Sequence, residues 1–303
     1  MDAITQAIEE ICSKHADIAY KLGEPFKNHT SFKVGGAVRV MFFPSSSTAV
    51  TQLIDILSHN NITPFVMGNG SNILASDSEH ELVVVNMTKL DGFCKTADTE
   101  ITAGAGALLS KIAVFARDEG LSGFEFAHGI PGTLGGAVVM NAGAYGGEMK
   151  DVIGATTAYN SKSGLYTLTM SEHEFAYRQS KFSGSDDVIL SSVISLQKGD
   201  KEIISRKMDD LSAQRTEKQP LNLPSAGSTF KRPKEAYAAA LVEQSGLKGF
   251  AIGGAKVSEK HAGFIVNYNN ASFDDVMSVI EYVREAVFKQ FGVELELEVK
   301  IIR

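Results

Sequence analysis

The stretch that decides how this chain is read is Gly129-Ile130-Pro131-Gly132-Thr133-Leu134-Gly135-Gly136-Ala137-Val138-Val139-Met140-Asn141-Ala142-Gly143-Ala144-Tyr145-Gly146-Gly147. Nine of the 28 glycines fall between Gly120 and Gly147, so the density is local. Glycine costs backbone entropy and brings no packing surface, so a core gains little from it. What it offers is close approach: backbone N–H groups without Cβ atoms between them can line an anionic ligand. Gly129, Gly132, Gly135 and Gly136 are read as turns, and Pro131 restricts Ile130 to an extended conformation. Residues 137–140 are apolar, a buried turn or a short helix start. A structural glycine loop is the competing reading.

Upstream, residues 63–67 read as a buried strand that runs into Gly68-Asn69-Gly70-Ser71-Asn72. This Gly-x-Gly lacks the third glycine of a dinucleotide fingerprint, and a strand over residues 82–86 follows it rather than a helix. The loop suits a phosphate without the helix-opening mechanism, or serves as a structural turn. Two such loops fit two phosphate-bearing groups or one extended dinucleotide.

Apolar spacing at Ile4, Ile8 and Ile11 predicts a helix within residues 3–20. A strand over 37–43 follows, then a helix capped by Thr48 with Val50, Leu53, Ile54 and Leu57 inward. Further elements are a strand over 101–105, a helix over 108–119, and strands over 155–159, 166–169 and 188–196. A boundary is expected near Gly199-Asp200, dividing the chain into 1–200 and 201–303. A connecting helix over 203–216 comes next, then a helix from Pro233 to Gly246 and strands around 262–267. Ser272 and Asp275 form a capping-box start to a long helix that buries Val276, Val279, Ile280, Val283, Val287 and Phe288 and ends at Gly292. Residues 293–302 alternate strictly and read as a strand. The fold class is α+β.

A formal charge of -7 argues against a general nucleic-acid binder. Cys12 and Cys94 show neither a disulfide framework nor metal-ligand spacing, so no metal is expected and a reducing compartment fits. The acidic N-terminal residues and the lack of an apolar run of about 20 residues predict a cytoplasmic chain without membrane insertion.

Four residues stand out as chemistry. Ser228, after Gly227, is a positionable hydroxyl or part of a helix N-terminal turn. Arg178, in an aromatic stretch, calls for an anionic partner or a structural ion pair. Glu298 is a site residue or one of a solvated strand face, and His128 a base or a packed side chain. Phe124, Phe126 and Tyr145 offer apolar surface for a flat heterocycle, or core.

Seven segments in order resemble the UDP-N-acetylenolpyruvoylglucosamine reductases, the MurB family of flavoenzymes. They are Asn28-His29-Thr30-Ser31-Phe32; Gly68 to Asn72; Gly129-Ile130-Pro131-Gly132 with Gly135-Gly136-Ala137; Asn141-Ala142-Gly143-Ala144-Tyr145; Tyr177-Arg178-x-Ser180-x-Phe182; Ala226-Gly227-Ser228-x-Phe230-Lys231; and Leu295-Glu296-x-Glu298-Val299. The resemblance implies a FAD-binding fold of the vanillyl-alcohol oxidase and p-cresol methylhydroxylase type, followed by a smaller substrate-binding α+β domain. It implies non-covalent FAD, NADPH as co-substrate, and reduction of UDP-N-acetylglucosamine enolpyruvate to UDP-N-acetylmuramate for peptidoglycan synthesis, with hydride passing from flavin N5 to C3.

By the same resemblance Arg178 and Glu298 polarise the substrate and Ser228 protonates C2. A serine hydroxyl is a poor acid in water, so Lys231, another nearby cation or a water chain is expected to assist it. Implied cofactor contacts are Asn28, Thr30, Gly68, Asn69, Gly70, Ser71, Asn72, Gly129, Ile130, Pro131, Gly132, Thr133, Gly135, Gly136, Ala137, Asn141, Gly143 and Ala144. No tyrosine lies between Tyr177 and Tyr237, as in the shorter subclass without a tyrosine lid. Tyr145, Arg215, Lys218 and Lys231 are then the expected substrate contacts. Rival readings are another FAD-dependent dehydrogenase or oxidase of the same fold, and a non-redox nucleotide-binding protein.

Overall fold

The computed structural model describes residues 2–14, 18–234 and 236–303. Its α-helices are α1 (Ala3–Lys14), α2 (Ser47–His59), α3 (Leu109–Asp118), α4 (Leu134–Val139), α5 (Lys201–Lys218), α6 (Ala238–Gln244) and α7 (Phe273–Phe291). The chain forms two compact units, each assembled from separated stretches. The first takes the residues up to Leu22, then Val40–Asn69 and Leu82–Ala213; the second takes Gly23–Arg39, Gly70–Glu81 and Gln214–Arg303. The units therefore do not follow a single cut after residue 200.

The first unit carries a four-stranded sheet in the order Ala19–Leu22, Val38–Phe43, His80–Asn86, Phe65–Met67, with the opening residues of the second and third strands counted in the second unit. It also carries a five-stranded antiparallel sheet, Gly164–Thr169, Ile153–Asn160, Val188–Ser195, Glu100–Gly104, Phe93–Ala97. One core joins them, with Phe42, Leu53, Ile101, Leu109 and Phe124 fully enclosed. In α1 the buried stripe is Ala7 and Ile11, with Ile4 and Ile8 packed at its margin. Residues 15–17, inside the expected first helix, and the Cys12 side chain lie outside the described residues. Helix α2 is capped by Ser46, whose hydroxyl accepts from the Ala49 N–H at 3.1 Å, two residues before the expected Thr48.

In the second unit a three-stranded antiparallel sheet, Ala251–Ile252, Ala255–Val257 and Ile265–Asn267, packs against α7. The Ser272 hydroxyl accepts from the Asp275 N–H at 3.0 Å, and the Asp275 carboxylate accepts from the Ser272 N–H at 3.0 Å and the Gly254 N–H at 2.9 Å. One carboxylate thus closes the capping box and ties it to the sheet. Phe288 is 54% exposed, a correction to the expected stripe: the buried row passes through Val287, and the next residue is turned about 100° away. Helix α6 starts at Ala238 rather than Pro233, after a turn in which the Arg232 guanidinium lies 4.0 Å above the Tyr237 ring.

The last segment is also shorter as a strand than its alternation predicts. Leu295 and Val299 are buried as expected, but only Lys300–Ile302 forms a strand, parallel to Ile73–Ala75. Before Lys300 the backbone pairs with residues 229–231, and after it with residues 73–75; the inward parity shifts to Ile302 at that change of partner. Replacing the α7 cap, Ser272→Ala, is expected to lower unfolding free energy by about 1 kcal/mol with an unchanged denaturant slope. An unchanged urea midpoint would contradict this.

Candidate active site

The first unit brings the two glycine loops together. A Cβ on Gly68 would lie 2.0 Å from the Thr133 hydroxyl oxygen, so only glycine allows this approach. The Asn69 amide donates to the Pro131 carbonyl at 2.7 Å. The second loop is fixed from behind: the Leu109 N–H donates to Gly132, Leu134 to Ala107 and Gly135 to Ala105. Ile130 packs against the core, and Thr133 and Ala137 are buried.

Gly136 differs from these. It is exposed on α4, and a Cβ there would find nothing closer than the Thr133 hydroxyl at 3.7 Å. A helical glycine costs about 1 kcal/mol relative to alanine, and no protein atom needs the space. Among the described residues, the backbone N–H groups of Gly68, Asn69, Gly129, Gly132, Thr133 and Gly136 donate to no backbone carbonyl. Free donors beside an unfilled glycine face fit the diphosphate of a flavin dinucleotide. The local reading of one extended ligand is favoured over two separate ones.

Arg178 sits in a two-residue turn in which Ala176 and Gln179 exchange backbone hydrogen bonds at 2.9 and 3.2 Å. It is half-buried, with φ +56, and its guanidinium lies 5.0 Å from the Tyr177 ring. The Ser180 and Ser183 hydroxyls both donate to the Val139 carbonyl at 2.9 Å, pinning the turn to the end of α4. At its base His173 is fully buried and stacked on Phe175. Its Nδ1–H donates to the Thr169 carbonyl at 2.7 Å, which leaves Nε2 to accept from the Thr156 hydroxyl at 2.8 Å. Asn141, expected at the cofactor, has its amide committed to protein atoms on three segments, Glu148, Lys150 and Ala176. Gly143 and Ala144 pair with Gly147 and Glu148 in a hairpin whose tip carries the exposed Tyr145.

Phe124 and Phe126 are core residues, edge to face with centroids 5.7 Å apart, rather than a surface for a heterocycle. His128 takes the packed reading, 3.2 Å from the Ser212 hydroxyl of α5. Beside it the buried Glu125 carboxylate accepts from Ser122, from the Gly123 N–H and from Lys207 of α5.

The second unit places Ser228 and Glu298 on adjacent backbones. The Glu298 N–H donates to the Thr229 carbonyl at 2.9 Å, Lys231 N–H donates to Glu296, and Phe230 bridges Leu297. Ser228 thus precedes a segment, Thr229–Lys231, that pairs with residues 296–298, and it is not a helix N-terminal turn. Thr229 is buried and stitched on its other side too, its N–H donating to Gly263 and its hydroxyl accepting from the Ile265 N–H. The Asn72 amide donates to the Glu298 carbonyl at 3.0 Å, while the Asn72 carbonyl accepts from the Lys300 N–H. Asn72 therefore grips the segment that carries Glu298.

Lys231 pairs with Glu296 at 3.1 Å, a partner other than the expected Ser228. The Asn28 amide donates to Glu24, Thr30 is buried with its hydroxyl donating to Val34, and Ser31 N–H donates to Gly70, so the first motif packs on the loop that holds Ser71. Arg215 and Lys218 occupy the last turn of α5. Glu148, His173 and Thr229 were not singled out from sequence. No local pattern pairs the first two with Arg178, and Thr229 is the unassigned position of its motif.

Two outcomes are expected from this geometry. Gly136→Ala is expected to keep or raise the melting temperature of the flavin-free protein and to weaken FAD binding about tenfold or more, a 1.4 kcal/mol effect. Unchanged affinity by flavin-fluorescence titration would contradict it. Burial holds the His173 imidazole pKa below its ordinary 6.5, so the folded chain favours the neutral ring. That contribution to stability is complete above about pH 6.5 and is lost as pH falls through the lower folded value. Denaturant stability of His173→Gln should therefore fall less steeply below about pH 6.5 than that of the unsubstituted chain. Identical slopes would contradict the assignment.

Residues 219–302 match the family model described as UDP-N-acetylenolpyruvoylglucosamine reductase, C-terminal domain, and residues 38–167 match that of a FAD binding domain. A UDP-N-acetylenolpyruvoylglucosamine reductase of Caldanaerobacter subterraneus subsp. tengcongensis is 50% identical over 281 residues, 93% of each chain. One of Clostridium tetani is 44% identical over 99% of this chain and 96% of its own. The crystal structure of the Thermus caldophilus enzyme superposes with a TM-score of 0.81 at 30% identity, covering 94% of this chain and 99% of that one. The α+β fold, with its FAD-binding domain and smaller C-terminal domain, matches throughout. No helix among the described residues is long and apolar enough to cross a membrane. With half its residues shared along nearly the whole of a relative, this chain belongs to the UDP-N-acetylenolpyruvoylglucosamine reductase family of oxidoreductases.

Proposed function

We propose that this chain reduces UDP-N-acetylglucosamine enolpyruvate to UDP-N-acetylmuramate at the expense of NADPH, in the cytoplasm, as a step of peptidoglycan precursor synthesis. The observation that carries the reading is the pairing of Glu298 N–H to Thr229 O at 2.9 Å, which sets Ser228 beside Glu298 in a chain of this family. FAD, when bound, supplies the two-electron chemistry that moves hydride from NADPH to substrate. Backbone N–H groups of loops 68–69 and 129–136 would hold its diphosphate.

The chain's own residues do the rest. The enolpyruvyl C2=C3 double bond becomes a single bond: C3 gains a hydride, and the electron pair left on C2 takes a proton. Negative charge spreads over C2 and the carboxylate as hydride arrives. Arg178 offsets that charge as a permanent cation. Glu298 stabilises it as a protonated carboxyl that donates a hydrogen bond, which calls for a raised pKa in the substrate complex. The Ser228 hydroxyl hands its proton to C2 and is reprotonated from solvent. With Lys231 paired to Glu296, that relay runs through water rather than through the ammonium. Tyr145, Arg215 and Lys218 are assigned to the UDP portion of the substrate, the two cations matching its diphosphate.

Ser228→Ala tests the assignment. Anaerobic stopped-flow absorbance should show NADPH bleaching the flavin at a nearly unchanged rate, and reoxidation by the enolpyruvyl substrate slowed by about 100-fold or more. Equal losses in both half-reactions would remove Ser228 from proton donation.

A further inference from the structure

Asn141 is fully buried at φ +44, a left-handed conformation that asparagine tolerates better than most residues. Its Oδ1 accepts from the Lys150 N–H at 2.9 Å, and its Nδ2 donates to Glu148 and to the Ala176 carbonyl, each at 3.0 Å. A side-chain amide has two N–H donors, and both are used, leaving none for a ligand. The Ala176 carbonyl is also the acceptor of Gln179 N–H, the bond that closes the Tyr177–Arg178 turn. Arginine at φ +56 is strained and persists only where its surroundings hold it. The geometry points to Asn141 as the positioning residue for Arg178, gripping the carbonyl that closes its turn and tying that turn to the Gly143–Glu148 hairpin.

Glu148 completes the arrangement. Lys150, 2.8 Å away, and then the Asn141 amide hold its carboxyl below the usual range against the cost of burial, and the Arg178 charge adds to this. Asn141 acts through the protein, and its side chain is not a cofactor contact. The inference rests on the reading above in which Arg178 stabilises charge on the substrate.

The test compares Asn141→Asp, which keeps the shape and removes the NH2 donors, with Asn141→Gly, which keeps the left-handed backbone. Both are measured in the FAD-loaded full chain, alone and combined with Arg178→Ala. FAD affinity and flavin reduction by NADPH are expected to stay within about threefold, and reoxidation by the enolpyruvyl substrate to slow by about 10- to 100-fold, the scale of a small misplacement. The same substitutions should cost little more once Arg178 is alanine. Amide hydrogen exchange of Gln179 should quicken while that of Lys181, bonded to His173, stays unchanged.

Equal loss of FAD affinity and of both half-reactions would overturn the proposal, as would additivity with Arg178→Ala or unchanged exchange at Gln179. Loss of folding in both variants would assign Asn141 to stability and equally overturn it. If Arg178→Ala alone left reoxidation intact, the role of Arg178 would fall, while exchange at Gln179 would still decide whether Asn141 holds the turn.

Discussion

The contact on which the first unit's site depends is the approach of Gly68 to Thr133. A strand ends at Met67, and the next residue must pass against a threonine side chain with no room for a Cβ. Asn69 then caps the Pro131 carbonyl, so a loop from one sheet and a loop from the start of α4 become one surface. The remainder of the unit holds that surface still. Residues 105 and 107 accept from Gly135 and Leu134 on the far side, and α5 docks on the segment just before it through Lys207–Glu125 and Ser212–His128. At Gly136 a Cβ would meet nothing closer than the Thr133 hydroxyl at 3.7 Å, so the protein itself does not need glycine there.

The second unit solves a different problem, that of holding a serine and a glutamate at fixed spacing without a helix under either. Thr229 does this by bonding to residues 263 and 265 on one side and residue 298 on the other. Asn72 adds a grip on Glu298 itself from a residue 226 positions earlier. Ser228 and Glu298 are thereby carried on backbone segments fixed through Thr229.

Several local signals in the sequence are seen in the structure, while others, the Thr48 cap, the Pro233 helix start and the inward Phe288, are not. The glycine density around Gly129, the Ser272–Asp275 cap and the inward Leu295 and Val299 follow from turn entropy, capping and alternation, and each is seen in the structure. What was not legible depends on partners far along the chain. Residues 23–39 and 70–81 have no local mark that assigns them to residues 214–303, yet they join that unit. Lys300–Ile302 takes Ile73–Ala75 as partner, and this ends the strand pairing that alternation alone extends back to Val293. Asn141 shows the same limit within a site: its motif implies a cofactor contact, but the carbonyl its amide holds belongs to the Arg178 turn, 35 residues on.

In the proposed reaction, electrons pass from NADPH through bound FAD to an enolpyruvyl ether. The most direct measurement is the visible spectrum of the purified protein under anaerobic conditions, first with NADPH and then with UDP-N-acetylglucosamine enolpyruvate. The account predicts flavin absorbance that bleaches with NADPH and returns when the substrate is added, with UDP-N-acetylmuramate formed in equal amount. A flavin that bleaches and ignores the substrate, or a protein that binds no FAD on reconstitution, would contradict it.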